Sequence, residues 1–449
     1  MVSGRGFCIR LLLRGCSVLL CALTSCNLTH QQRSAPVTIR IIGSGPLTLR
    51  QLEMRPDAFS KFTQETGILV EYIPGPESST ERLGLYQRTL GRQSTTPDVY
   101  LIDAVWPAIL AEDLVDLRPW IGGYADQQLS QDVRNDTVDG KLVAMPSSIE
   151  RGVLYYRTDL LSKYGYKHPP NTWDELEHMA ARIQAGERRA GNRNFWGFVW
   201  QGDAYEGLTC NALEWQASQG GGRIIEPDGT ISVNNPGTIA ALERARHWIG
   251  TISPPSVIAY KEEDSRNAFE SGNAAFRRDW VWTVDPTHLV GDSPIKGRFS
   301  VAPLPGGATG RVSVIGGWAL SVSKYSRHPH EASLLVHYLT SDEGRARVWK
   351  ENQSLPAQKA FYAYSGFSAA HPELAVLKDT FVNEAVARPS TVTGAKYAEV
   401  SRAYFSAVHS VLEGKETSAK AIGDLDVELQ RITGLKSRKL EASMTVSAR

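Results

Sequence analysis

Pro97-Asp98-Val99-Tyr100-Leu101-Ile102-Asp103 sets four consecutive apolar or aromatic residues between two acids. An unbroken run of this kind, without polar residues at every second place, predicts a strand covered on both faces, as in a sheet with helices on each side. Its surroundings agree. Residues 37–42 (Val-Thr-Ile-Arg-Ile-Ile) and 68–73 read as strands, with helices predicted through Phe59 and Phe62, over 79–90 and over 109–117. Strands alternating with helices, and short β-branched runs, predict a mainly parallel α/β sheet.

The second half continues in the same manner without repeating the sequence. Strands are predicted at 152–157, 195–201, 274–278 and 314–323, the last with Gly316-Gly317 inside it. Thr172-Trp173-Asp174-Glu175 reads as a capping box opening a helix through Ile183, with Thr172 as N-cap and Glu175 returning to the Thr172 amide. A helix over 207–218 is stopped by Gly220, Gly221 and Gly222. Asn235-Pro236 opens another through Ile249, and a helix over 398–412 is closed by Gly414. The polar stretch 437–449 reads as a frayed tail.

The N-terminus carries a different signal. Arg5, Arg10 and Arg14 precede an apolar stretch at 15–22, and Leu23-Thr24-Ser25-Cys26 follows as a lipobox. The apolar stretch is well short of the ~20 residues a spanning helix needs. Export, cleavage before Cys26 and lipidation of Cys26 are expected, leaving the chain tethered outside the cytoplasmic membrane. Of the five cysteines, Cys8, Cys16 and Cys21 leave with the signal peptide and Cys26 carries lipid, so Cys210 is the single remaining thiol and no disulfide is expected. A mature chain of about 420 residues can be stabilised by burial alone. The net charge of +1 becomes −2 without the three leader arginines, which excludes the basic footprint of a nucleic-acid binder.

In an open α/β sheet, ligands sit beyond the carboxyl ends of strands. Asp103 ends its strand there, either facing such a crevice or capping the next helix, with Trp106 one turn on. Glu150 beside Arg151 reads as a second crevice acid or as half of a solvated ion pair. Trp280-Val281-Trp282 presents two indoles on one face if extended, and Gly316-Gly317-Trp318 sets a third beside residues that allow close backbone approach. Aromatic faces with carboxylates and arginine suit a neutral polyhydroxylated ligand, whose C–H faces stack while its hydroxyls bond to the charged groups. Phosphate-cradling loops, dinucleotide fingerprints and nucleophile elbows are missing. His328-Pro329-His330 and His337 lack the spacing of a metal site and read as surface histidines, and Cys210 as a helix-face residue.

At Asn194-Phe195-Trp196-Gly197-Phe198-Val199-Trp200-Gln201-Gly202 and Tyr205-Glu206-Gly207-Leu208 the chain resembles the extracellular solute-binding proteins of ABC sugar importers, closest to the trehalose/maltose-binding proteins. Similar blocks extend across the mature chain: Pro97 to Asp103, Leu154-Tyr155-Tyr156-Arg157-Thr158-Asp159-Leu160-Leu161, Gly272-Asn273-Ala274-Ala275-Phe276, Val301-Ala302-Pro303-Leu304-Pro305, Gly316-Gly317-Trp318 and Arg388-Pro389. The resemblance implies an α/β, two-lobed periplasmic-binding-protein fold of type II, maltose-binding-protein-like, with the sugar in a cleft between lobes that closes by a hinge motion. It implies lobe 1 over 37–146 and 287–340, and lobe 2 over 147–286 and 341–436, behind a signal peptide at 1–25 and a lipidated tether at 26–36.

Residue by residue, the resemblance assigns sugar contacts to Asp103, Trp280, Gly317, Trp318 and Arg388, with Trp282 as a further ring and Arg82 and Glu53 at less closely matching positions. Glu150 keeps an acid where relatives carry Tyr-Ile-Asp, although Ser148 replaces the ring. Residues 390–394 lack the aromatics that relatives carry after the Arg-Pro pair. The implied partners are a disaccharide such as trehalose or maltose, the permease subunits with their cytoplasmic ATPase, and the membrane through Cys26. A monomer without cofactor, metal or nucleic acid is expected, in a periplasm or on the outer cell face. Two other readings stand beside this one: a secreted glycoside hydrolase with Asp103 and Glu150 as its carboxylate pair, and a sugar-binding module serving a sensor kinase.

Overall fold

The computed structural model describes residues 36–43, 56–76, 78–281, 292–342, 355–363, 365–370 and 372–438. The signal peptide, Cys26, Glu53, Trp282 and the end of the predicted tail lie outside them. No helix among the described residues is long and apolar enough to cross a membrane.

Among the described residues, eleven strands run in chain order as β1 (Thr38–Gly43), β2 (Leu69–Pro74), β3 (Val99–Asp103), β4 (Thr137–Val138), β5 (Lys141–Leu142), β6 (Met145–Arg157), β7 (Trp196–Val199), β8 (Ala274–Trp280), β9 (Phe299–Pro303), β10 (Ser313–Val322) and β11 (Ala385–Val386). Nine of them form one sheet along the path β2-β1-β3-β10-β6-β8-β7, with β9 on β6 and β11 on β10, while β4 and β5 pair separately. The sheet is mixed rather than mainly parallel. The pairs β1–β2, β1–β3, β7–β8 and β10–β11 are parallel, but β10 runs antiparallel to β3 and β6, and β6 antiparallel to β8 and β9. Part of the reason is β10, which returns from late in the chain and inserts antiparallel between β3 and β6; the pairs of β6 with β8 and β9 are antiparallel independently of it.

The apolar run Val99–Ile102 is covered on both faces, as its composition predicts. Val99 and Leu101 of β3 pack on one face with Ile39, Ile41, Phe59 and Phe62, and Tyr100 and Ile102 pack on the other with Ile42, Tyr86 and Leu90. Both faces are dry, so no alternation is needed. Beyond the middle of β6 the sheet has its own cores. Trp173, Trp200, Trp215 and Trp248 cluster on one side, with centroid separations of 4.9 Å for Trp200–Trp215 and 5.4 Å for Trp215–Trp248, while Val153, Tyr155 and Phe299 pack on the other. Several tryptophans are therefore core residues.

Local signals hold with exceptions. Thr172 caps the helix Trp173–Arg189 by accepting from the Glu175 amide at 3.2 Å, but the Glu175 carboxylate accepts from the Asn171 amide at 2.7 Å rather than from Thr172. Asn235 caps Pro236–Trp248 as predicted, and the helix Glu206–Ser218 stops before the predicted glycines. The helix expected over 109–117 is cut to Pro107–Leu110 and a short turn Ala111–Asp113. Beyond it the Val115 and Leu117 amides donate to the carbonyls of Val322 and Leu142, so the sheet takes the bonds a helix would have used.

Candidate functional site

Strand register builds the centre of the site. Trp318 of β10 stands opposite Asp103 of β3 on one side and Ser148 of β6 on the other, and a register shift follows it. Gly317 is opposite Ile149, Gly316 opposite Glu150, and Gly152 opposite Trp280 of β8. The carboxyl end of β3, the middle of β6 and the end of β8 thus meet where β10 crosses. Gly317 has φ of +112°, a left-handed conformation that favours glycine.

A cleft of about 340 Å³ opens there, lined by Asp103, Glu150, Trp280, Gly317, Trp318, Arg82 and Arg388, seven of the residues selected from sequence. It also takes in residues the sequence reading passed over, chiefly Glu206, Tyr205 and Glu262.

Asp103 plays both roles foreseen for it. Its Oδ1 accepts from the Val105 amide at 3.1 Å, which is a capping bond, yet its side chain is 27% exposed in the cleft and lies 3.8 Å from the Arg388 guanidinium. Burial raises its pKa, and the positive charge of Arg388 and the Val105 bond oppose that rise. Arg388 is itself buried, donating to Glu206 at 2.7 Å and to the Ile315 carbonyl at 3.2 Å. Its pKa is held well above the ordinary value because nearby negative charge outweighs desolvation.

Glu206 gathers this side of the cleft. Besides Arg388 it accepts from the Tyr397 hydroxyl and, at 2.6 Å, from the Ser401 hydroxyl, both on the helix Tyr397–Leu412. It opens the helix Glu206–Ser218, where an acid reads from sequence as compensation of the helix dipole. Its other partners come from the C-terminal third, which left no local signal to find it. Tyr205 donates to Glu262 at 2.6 Å, so that second missed acid is also engaged.

Glu150 differs. Its neighbour Arg151 is fully buried and pairs with Asp132 at 2.7 Å, so of the two readings of Glu150 the ion pair with Arg151 is corrected. Glu150 faces the cleft, and its pKa is pushed up to about 7, first by burial and then by the negative charges of Asp103, Asp279 and Glu262.

The indoles are backed by guanidinium groups. Arg278 lies 4.4 Å from the centroid of Trp280, and Arg82 lies 4.9 Å over Trp318 and 5.4 Å from Trp106. Trp106 is buried and packs edge-on to Tyr86, so it supports Arg82 and does not line the cleft. Arg82 also donates to the Pro76 carbonyl at 2.8 Å, and burial lowers its pKa. No group of His, Cys, Asp and Glu among the described residues could hold a metal. Pro329 opens a helix, and His337 packs edge-on to Tyr124 at 4.6 Å. Cys210 is a buried free thiol whose pKa burial pushes up to about 12. The cleft can offer hydroxyl-bonding carboxylates, guanidinium donors and aromatic faces together.

The sequence profile of the bacterial extracellular solute-binding proteins matches residues 51–346. A probable ABC transporter-binding protein of Deinococcus radiodurans is 46% identical over 380 residues, spanning 84% of this chain and 89% of that protein. The maltose-bound MalE3 of T. maritima shares 36% identity with a TM-score of 0.76, covering 88% of this chain and all of its own (100%). A tagatose-bound solute-binding protein from Thermotoga lettingae has a TM-score of 0.75 at 24% identity, covering 89% of this chain and 100% of that one, a likeness of fold.

Proposed function

Because this chain belongs to the bacterial extracellular solute-binding protein family, we propose that it captures an α-linked glucose disaccharide, trehalose or maltose, by closing two lobes over the Asp103–Trp318 cleft. The fold is the two-lobed α/β fold of the maltose-binding proteins. The chain works outside the cytoplasm as the sugar-binding component of an ABC importer, together with a permease and an ATPase, and is not an enzyme. The hydrolase reading of Asp103 and Glu150 is overturned by that membership.

One observation carries the disaccharide reading: a single cleft combines indoles, carboxylates and arginines at the crossing of β6 and β10. The maltose held by the 36% identical MalE3 supports it. In this reading Asp103, Glu150, Arg82 and Arg388 bond the sugar hydroxyls, Trp280 and Trp318 present ring surface, and Gly317 admits the ligand close to the backbone. Glu53 and Trp282 are proposed as further contacts. The lipid on Cys26 would hold a monomeric chain near its permease, where tethering raises the local concentration.

A thermal-shift panel of trehalose, maltose, other disaccharides and polyols tests this, since a ligand that binds only the folded state raises Tm by mass action. Stabilisation by trehalose or maltose above the rest is expected. Stabilisation by neither would overturn the disaccharide assignment.

A further inference from the structure

A second cavity, of about 460 Å³, opens outside the cleft beside β7, the turn Pro255–Ala259 and the helix Glu262–Glu270. It exceeds the cleft's 340 Å³. Trp196 at its wall pairs with Ala274 at the start of β8, whereas Trp280 at the end of β8 lines the cleft. Six residues of strand put the Trp196 end of the cavity about 20 Å from Trp280, while Tyr260 and Asp264 at its near edge flank the cleft's Glu262 in the chain.

The lining combines aromatic rings with amides. Trp196 and Tyr260 are both partly exposed, and the Ser256 hydroxyl donates to the Tyr260 hydroxyl at 3.2 Å. Arg188 lies 4.2 Å from the Trp196 centroid while its Nε donates to the Phe195 carbonyl at 2.8 Å, so the indole is held in place. The Asn273 amide is oriented by Asn192 at 3.2 Å and by the Ser271 hydroxyl at 3.3 Å. Asn194 and Asn267 line the same space, exposed, and their side-chain amides make no hydrogen bond among the described residues. The single carboxylate of the lining, Asp264, already accepts from the Lys261 amide at 2.9 Å.

The lining carries no Lys or Arg, so an anion would find no counter-charge, and its one carboxylate stands among amides and hydroxyls as a further acceptor for ligand hydroxyls. A neutral ring with C–H faces and adjacent hydroxyls fits both parts of the lining, stacking on the aromatics and bonding the amides in both directions. The volume lies within the range of small-molecule sites. We propose that this cavity is a second, weaker binding site for a neutral carbohydrate, formed by Trp196, Tyr260, Asn194, Asn267 and Asn273. It is separate from the cleft and does not depend on what the cleft binds.

Fluorine NMR of the 5-fluorotryptophan-labelled protein tests the site directly, with the Trp196 resonance assigned through Trp196→Phe. In a Trp280→Ala background, which weakens the cleft, millimolar maltose, trehalose or maltotriose should move the Trp196 resonance saturably. Asn267→Ala, an exposed substitution, should weaken that response several-fold while circular dichroism stays unchanged. A Trp196 resonance that none of the three sugars moves would overturn the proposal, as would a response that Asn267→Ala leaves intact. Because the readout is Trp196 itself, failure of the disaccharide reading of the cleft would leave this test standing.

Discussion

The ring of Trp280 lies so close over Gly316 that a Cβ on the glycine would stand 2.8 Å from the indole. Real Cβ atoms do not approach that closely, so the glycine sets how deep the ring can lie against the sheet. Gly316→Ala should push Trp280 outward into the cleft and lower disaccharide affinity about tenfold, the equivalent of ~1.4 kcal/mol. Calorimetric titration of the variant checks this, and unchanged affinity would remove Trp280 as a sugar platform.

Asp103 places one oxygen, Oδ1, both on the Val105 amide and 3.8 Å from the Arg388 guanidinium, with its side chain 27% exposed in the cleft. A charge-assisted hydrogen bond contributes about 1.5–3 kcal/mol, so Asp103→Ala should weaken binding about ten- to hundredfold. A loss below threefold in the same titration would show that the carboxylate serves only as a cap.

The raised pKa of Glu150 makes a prediction about the ligand-free protein. With a folded value of about 7 against an ordinary 4.5, the folded chain keeps a proton here that the unfolded chain gives up. Stability from this group is therefore highest at low pH, declines as pH rises through that window, and is fully lost above pH 7. Glu150→Gln should show a higher Tm than the parent protein at pH 8 and little difference at pH 5. A Tm difference that does not grow with pH would contradict the assignment.

Glu214 and Arg278 form a fully buried pair, with Arg278 donating through Nε at 2.8 Å and Nη2 at 2.7 Å while the Val314 amide donates to the same carboxylate at 3.1 Å. This joins the helix Glu206–Ser218 to β8 and β10. Glu214→Gln would leave the guanidinium buried without its counter-charge and should cost about 3–5 kcal/mol. Urea unfolding measures it, and a loss under 1 kcal/mol would indicate that other partners carry Arg278.

These relationships explain which parts of the molecule could be read in advance. β3 was legible because burial on two faces leaves an unmistakable apolar run, and Asp103 because an acid directly after such a run stands at a strand's carboxyl end. Trp318, Gly317 and Trp280 were flagged by their local company. The antiparallel insertion of β10 was not legible, since pairing between strands far apart in sequence leaves no mark on either. Glu206 was missed for the same reason: Arg388, Tyr397 and Ser401 reach it from the other end of the chain. Of the two readings of Glu150, the ion pair with Arg151 fails because the actual partner of Arg151, Asp132, lies on the helix Ser130–Asn135, which adjacency in sequence could not reveal.

The late return of β10 also bears on how the protein is made. The core around Ile39, Val99 and Leu101 includes Leu320, Val322, Leu335 and Leu339, so its sheet stays incomplete until roughly three-quarters of the chain has been synthesised. A nascent chain of this design cannot close its first core early. The half of the sheet built on β1 and β3 therefore depends for its completion on a segment more than two hundred residues further along the chain.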